Sequence, residues 1–330
     1  FGIYTYMFSD FVTSVQPAIS PMFNYDADRR EFLDFYNSKN YSKEENSYTG
    51  IFEGKNVIFI HMESIQNFLI DLRINGIEIT PNLNKLVKES MYFSKFYPQI
   101  SVGTSSDTEF TLSTGLLPST SGTVFVNYYD RTYETMENAF RNKGYFTFAM
   151  HANNGNYWNR KNMYNTLGYD AFYDRDSYIV PTDKKDENYV GLGLSDKSFY
   201  EQIIPIIKDI KNNHSNYMGK VISLSNHSPF NDLSKYGNID FSVEYKDEDG
   251  NIEVDSYLEN TEIGNYLKSA HYADEALGVL FKLIKENNLD ENTVFVLYGD
   301  HESKLGKENL NYLYNYDLYT HKLKSKDDAT

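Results

Sequence analysis

The feature that most limits how this chain can fold is a set of four short, almost wholly apolar runs at 57–60, 145–150, 221–224 and 293–298. Runs of this length, without the alternation of a half-solvated strand, suit strands buried on both faces. The stretches between them carry helical periodicity. Strand, helix, strand in repetition predicts an α/β fold with a mostly parallel central sheet and helices on both faces.

Several helix ends are marked. Thr80-Pro81 reads as an N-cap followed by proline at the first helical position, with Leu83, Leu86, Val87 and Met91 on one face. Met136, Ala139 and Phe140 form a stripe that Gly144 closes. Asp196 is placed to cap a helix bearing Phe199, Ile203, Ile207 and Ile210, which Pro205 should kink or restart. The longest stripe runs from Ile263 to Ile284. Residues 231–260, with Asp-Glu-Asp-Gly at 247–250, read as a polar hairpin leaving the sheet. Residues 1–50 lack periodicity and include a charge run at 43–45, so they read as an arm or linker. Residues 51–306 read as the folded domain and 307–330 as a polar tail.

Each apolar run ends in an unusual polar cluster: His61-Met62-Glu63-Ser64, His151-Ala152-Asn153-Asn154, Ser225-Asn226-His227-Ser228 and Gly299-Asp300-His301-Glu302. In parallel α/β sheets ligands bind beyond the carboxyl ends of the strands, so the four clusters should converge on one crevice. Glu63, Asp300 and His301 then offer a hard oxygen-and-nitrogen donor set, suited to Mn²⁺ or Mg²⁺ more than Zn²⁺. The competing reading is that these residues cap helices or satisfy loop amides.

Composition narrows the chemistry. With 31 Lys+Arg against 47 Asp+Glu, the net charge is -16, which argues against a broad nucleic-acid surface or a basic face docked on anionic lipid. An anionic substrate would need a local cation. The absence of cysteine removes disulfides, thiolate zinc sites and cysteine nucleophiles. No apolar run reaches the length of a membrane span, so any export signal or anchor is expected outside this chain.

A nucleophile is sought in Gly103-Thr104-Ser105-Ser106-Asp107-Thr108-Glu109-Phe110. Ser106 and Glu109 have capping-box spacing, so a helix should begin just after Thr104. A hydroxyl there would face an incoming phosphate at a helix start, and a divalent cation could activate it. Thr104 could equally be only an N-cap. Trp158 and Arg160 follow His151 closely, as an aromatic wall with a guanidinium fork for phosphate or as an ordinary surface pair.

Taken in order, Phe59-Ile60-His61-Met62-Glu63-Ser64, Gly103 to Phe110, Met150-His151 with Trp158-Asn159-Arg160, Ser225-Asn226-His227-Ser228-Pro229-Phe230 and Tyr298-Gly299-Asp300-His301 resemble the extracellular domain of lipoteichoic acid synthases. Those enzymes belong to the alkaline phosphatase and sulfatase superfamily. The resemblance implies a sulfatase-like catalytic domain over 51–306. It implies that Glu63, Thr104, Asp300 and His301 hold one Mn²⁺ or Mg²⁺, that Thr104 is the nucleophile, and that His151, Trp158, Arg160 and His227 bind glycerophosphate. It further implies transfer of glycerol phosphate from phosphatidylglycerol to a polyglycerolphosphate chain through a glycerophosphoryl-threonine, releasing diacylglycerol. The implied location is the outer face of a Gram-positive membrane, either attached through transmembrane helices absent from this chain or released. A primase, a phosphoethanolamine transferase or a phosphodiesterase of the same superfamily are alternatives, as is a non-catalytic glycerophosphate-binding module. Two departures stand out. Asn153 occupies a position where some members carry Asp, and only a short stretch follows His301, so the C-terminal part of the family fold is expected to be missing.

Overall fold

The structure is a computed structural model that describes residues 2–38 and 45–324. It divides after Glu53 into two compact units. In the first, α1 (Ile3–Ser38) is a single helix where the sequence suggested an arm without periodicity. Its exposed Ile3, Tyr4, Met7, Phe8 and Phe11 lie on one arc of the helix, at i, i+1, i+4, i+5 and i+8, a short helical period that the sequence expectation missed. Most of the 43–45 charge run and the end of the tail lie outside the described residues. Among the described residues, no helix is long and apolar enough to cross a membrane.

The second unit is built on five strands, β1 (Asn56–Met62), β2 (Phe146–His151), β3 (Ala171–Tyr173), β4 (Tyr217–Ile222) and β5 (Thr293–Gly299). They lie in the order β5-β1-β4-β2-β3, and every neighbouring pair is parallel. The four apolar runs thus belong to strands of one sheet. β4 begins four residues before its apolar run, because Gly219 and Lys220 hide its first half. Around the sheet stand α2 (Pro81–Glu89), α3 (Ser105–Thr114), α4 (Met136–Arg141), α5 (Arg160–Leu167), α6 (Asp196–Asn213) and α7 (Glu262–Glu286).

Strand alternation sorts the sheet's side chains onto two faces. Ile58, Ile60, Phe148, Met150 and Val221 pack on Ile203 and Ile207 of α6 and Leu277 and Leu280 of α7. Phe59, Ala149, Met218 and Ile222 face Phe110 of α3, Met136 of α4 and Tyr164 of α5. Gly219 is fixed by the first face: a Cβ there would lie 2.2 Å from Phe148 Cζ, so only glycine leaves room for that ring. A further cluster gathers Leu69, Phe230, Phe241 and Leu258 around Tyr266 and Leu267, in the N-terminal half of α7.

Several helix starts use partners that the sequence did not indicate. Thr80 precedes α2 as expected, but its hydroxyl donates to Leu69 O (2.9 Å), and Asp274 of α7 accepts from the Asn82 and Leu83 amides (2.9 and 2.8 Å). The cap of α6 is Ser195, whereas Asp196 turns inward and accepts from Leu224 N and Ser225 N (2.7 and 3.0 Å). The helix continues through Pro205 as one element. The polar excursion is an antiparallel hairpin of Val243–Lys246 and Ile252–Asp255. Part of the expected polar tail is α8 (Lys307–Asn315), which buries Leu313 in the cluster under α7.

Candidate active site and metal centre

Because all five strands run the same way, their C-terminal ends share one sheet edge, and the four polar clusters meet there. The register aligns Tyr298, His61, Ile222 and His151 as one row across β5, β1, β4 and β2. The loop after β1 crosses directly over β5: a Cβ at Gly299 would lie 2.0 Å from Ile65 O, so glycine is required for Glu63 and Asp300 to approach.

Glu63, Asp300 and His301 are buried, and one ligand atom from each lies within 4.8 Å of the others. His301 Nε2 is 3.4 Å from Glu63 Oε1 and 3.2 Å from Asp300 Oδ2. His301 Nδ1 meets Glu302 O at 2.7 Å; a carbonyl only accepts, so Nδ1 donates there and Nε2 is the ring nitrogen turned toward the carboxylates. Asp300 Oδ1 accepts the Ser64 and His301 amides (both 2.8 Å), while Oδ2 meets His61 Nε2 at 3.0 Å. Burial pushes the Asp300 carboxyl up, but the His61 ring outweighs it and holds the group at about 2. Glu63 Oε1 accepts from Ser64 Oγ (2.7 Å), but burial followed by repulsion from Asp300 outweighs this and pushes the group up to about 7. Two carboxylates and an imidazole lone pair forced together fit a single divalent cation, with no sulfur among the donors.

The hydroxyl that reaches this cluster belongs to Ser105, not Thr104. Ser105 Oγ lies 3.4 Å from Glu63 Oε2 and 3.2 Å from His301 Nε2, and its side chain is buried. Thr104 is the N-cap residue of α3, with φ 43° and ψ −109°, and gives its carbonyl to the Asp107 and Thr108 amides. That unusual backbone turns the chain so that the first helical residue, one position later, carries the inward-facing hydroxyl. The sequence expectation for Thr104 as metal ligand and nucleophile is corrected on this geometry. The capping box is also absent: Ser106 Oγ donates to Gly103 O, and Glu109 is engaged elsewhere.

Beside Ser105 opens a narrow cleft lined by Glu63, His151, Asn153, Trp158, Arg160 and His227 together with apolar neighbours. All four residues expected to contact the ligand are therefore brought to one place. His151 Nδ1 meets Ile222 O at 3.1 Å and His227 Nδ1 meets Ser228 O at 2.7 Å, so both rings turn a lone-pair Nε2 away from these carbonyls. Burial, then the Arg160 charge, pushes His151 down to about 3; burial also lowers His227. These are hydrogen-bond acceptors, suited to hydroxyl groups rather than to phosphate oxygens. Trp158 adopts φ 56° and packs edge-on against Tyr157 at 5.6 Å between ring centroids.

Arg160 is buried, and its Nε and Nη2 donate to Glu109 Oε1 at 3.0 and 2.7 Å. Tyr164 donates to the other oxygen of Glu109. Burial would raise the Glu109 carboxyl, but Arg160 holds it at about 2. His61 and Glu109 are functional candidates that the sequence reading passed over; His61 was visible in the first polar cluster, whereas the 51-residue separation of Glu109 and Arg160 left no local signal.

Residues 55–328 match the family model described as Sulfatase. Lipoteichoic acid synthase 1 of Bacillus subtilis is 34% identical over 304 residues, covering 91% of this chain and 44% of that protein. Lipoteichoic acid synthase of Staphylococcus aureus is 35% identical over 271 residues, covering 79% and 39%. Among solved structures, the lipoteichoic acid synthase LtaP from Listeria monocytogenes superposes with a TM-score of 0.72 at 32% identity, covering 83% of this chain and 64% of that one. The chain spans less than half the length of these two curated relatives. With a parallel sheet, a carboxylate–imidazole centre at its C-terminal edge and this match along most of its length, the chain belongs to the sulfatase family and is similar to its lipoteichoic acid synthases.

Proposed function

We propose that this chain is the catalytic part of a phosphotransferase that moves glycerol phosphate from phosphatidylglycerol to a growing lipoteichoic acid chain at the outer face of a membrane, with Ser105 as nucleophile. The observation that carries the reading is the Ser105 hydroxyl set between Glu63 and His301 at the floor of a cleft lined by His151, Trp158, Arg160 and His227. A divalent ion held by Glu63, Asp300 and His301, Mn²⁺ or Mg²⁺ by donor type, would lower the pKa of the Ser105 hydroxyl and offset charge on the phosphoryl group.

Ser105 Oγ attacks phosphorus, the bond from phosphorus to the diacylglycerol oxygen breaks, and the proton lost by Ser105 balances the one gained by the departing alcohol. A glycerophosphoryl-serine remains. The terminal hydroxyl of a polyglycerolphosphate chain then attacks, passing its proton to His227 Nε2; the bond from Ser105 to phosphorus breaks, and the proton held by His227 is returned to Ser105 Oγ, which restores both groups. Arg160 has five N–H donors, of which Nε and one on Nη2 are spent on Glu109; donors left on Nη1 and Nη2 serve phosphoryl oxygens. His151 Nε2 accepts from a glycerol hydroxyl, and Trp158 covers the carbon face.

The test is release of diacylglycerol from labelled phosphatidylglycerol with Mn²⁺, together with covalent labelling of the protein. Ser105→Ala should abolish both, and Thr104→Ala should keep the label. Labelling that survives Ser105→Ala and vanishes in Thr104→Ala would return the nucleophile to Thr104; absence of both activities in the wild type rejects the reading.

A further inference from the structure

Glu109 and Ser105 lie four residues apart on α3, one helical turn, so they share a face of the helix. Glu109 is fully buried, and a buried carboxylate is retained only where its partners are well made. Its partners here divide cleanly by oxygen. Oε1 takes both Arg160 Nε and Nη2, while Oε2 takes the Tyr164 hydroxyl from the next turn of α5. Gripped along its Nε–Nη2 edge, the guanidinium keeps the edge formed by Nη1 and Nη2, the other fork that matches two oxygens of one phosphate.

Resting on the transfer reaction proposed above, we propose that Glu109 is a positioning residue: it fixes the guanidinium of Arg160 from behind, so that the free fork meets the phosphoryl group in register with Ser105. One helix then sets both the attacking oxygen and, through Glu109, the cation that receives the developing charge. The reach of the side chain therefore matters more than its charge. Asp keeps the charge but withdraws the oxygens by one methylene; Gln keeps the reach and the Oε1 acceptor but loses the charge. A role in charge balance alone reverses that order.

The experiment compares wild type, Glu109→Asp and Glu109→Gln for hydrolysis of bis(p-nitrophenyl) phosphate with Mn²⁺, for glycerol 1-phosphate affinity by calorimetry, and for melting temperature. Glu109→Asp should lose thirtyfold or more in turnover with weaker glycerol 1-phosphate binding, and Glu109→Gln should lose less than a third of that factor. Glu109→Asp at or above the level of Glu109→Gln overturns the proposal. Tyr164→Phe frees Oε2 while leaving Oε1 on Arg160, and it keeps the question answerable if the Glu109 variants melt. A loss of at least threefold in affinity at an unchanged melting temperature supports the positioning role, and unchanged affinity counts against it. A wild type that neither hydrolyses the diester nor binds glycerol 1-phosphate fails the transfer reading itself, which separates the two.

Discussion

The two faces of the central sheet are built on different principles. The face under α6 and α7 meets the sheet with apolar side chains alone, Ile58, Ile60, Phe148 and Val221 against isoleucines and leucines. Its buried Asp196 and Asp274 bind main-chain amides at helix and loop ends. The face under α3, α4 and α5 buries ionisable groups among its apolar side chains: Arg160 with Glu109, Lys220 with Glu137, and His61 with Asp300. Lys220 and Glu137 are wholly inaccessible, 3.7 Å apart, with Ser113 hydrogen-bonded to both. Apolar burial stabilises without direction, whereas a buried pair barely offsets its own desolvation yet holds its members in one geometry. The contrast suggests that the first face carries stability and the second carries precision.

Five measurements can break or sharpen that contrast. The largest effect should appear at the cleft: Ser105→Ala is expected to cut transfer at least a thousandfold, about 4 kcal/mol of barrier, with little change in urea midpoint. If unfolding shifts as much as activity, the division of labour is wrong. Next, Glu137→Ala strands the Lys220 charge and should cost about 3–5 kcal/mol, while the double change Lys220→Met with Glu137→Leu should recover most of it. Phe148→Ala on the apolar face should cost about the same, through a cavity that no charge removal can repair. A double variant no better than Glu137→Ala would make the buried pair a true source of stability.

The pH dependence of stability should take opposite signs on the two sides. The Glu109 pKa is lowered to about 2, so its contribution of about 3 kcal/mol is present above pH 4.5 and lost as pH falls toward 2. Asp196 at the start of α6 is raised to about 6 by burial, so it favours the folded state most below pH 3.8 and loses that contribution as pH rises through 6. Difference curves of wild type against Glu109→Gln and Asp196→Asn check both, and curves of the same sign would refute the assignment. The smallest effect is expected from Thr104→Gly, which relieves the positive φ and should stabilise by about 1 kcal/mol. Destabilisation would mean that the Thr104 side chain supports the turn.

Much of the site was legible because its residues follow strands, and strands announce themselves by apolar runs. Glu63, His151, His227, Asp300 and His301 were singled out that way, and a parallel sheet brings such positions to one edge. The hydroxyl was misplaced by one residue. Sequence marks where a helix begins, but which of two adjacent hydroxyls turns inward depends on the φ of Thr104, and nothing in Thr104-Ser105-Ser106 states it. Arg160 was placed correctly in the cleft, yet its grip by Glu109 follows from the packing of α3 on α5, a tertiary contact with no local trace. Lys220 even obscured its own strand, since a lysine in the middle of a buried run reads as the end of that run.

One further consequence lies in the carbonyls behind the site histidines. His151, His227 and His301 each give their Nδ1 proton to the main chain, at Ile222, Ser228 and Glu302. A side-chain partner can be exchanged by one codon change; a backbone oxygen is supplied by every residue type. The choice of which ring nitrogen faces inward is thus insulated from mutation of its neighbours, so diverging sequences can alter the pocket walls while keeping the same three Nε2 atoms turned to the site.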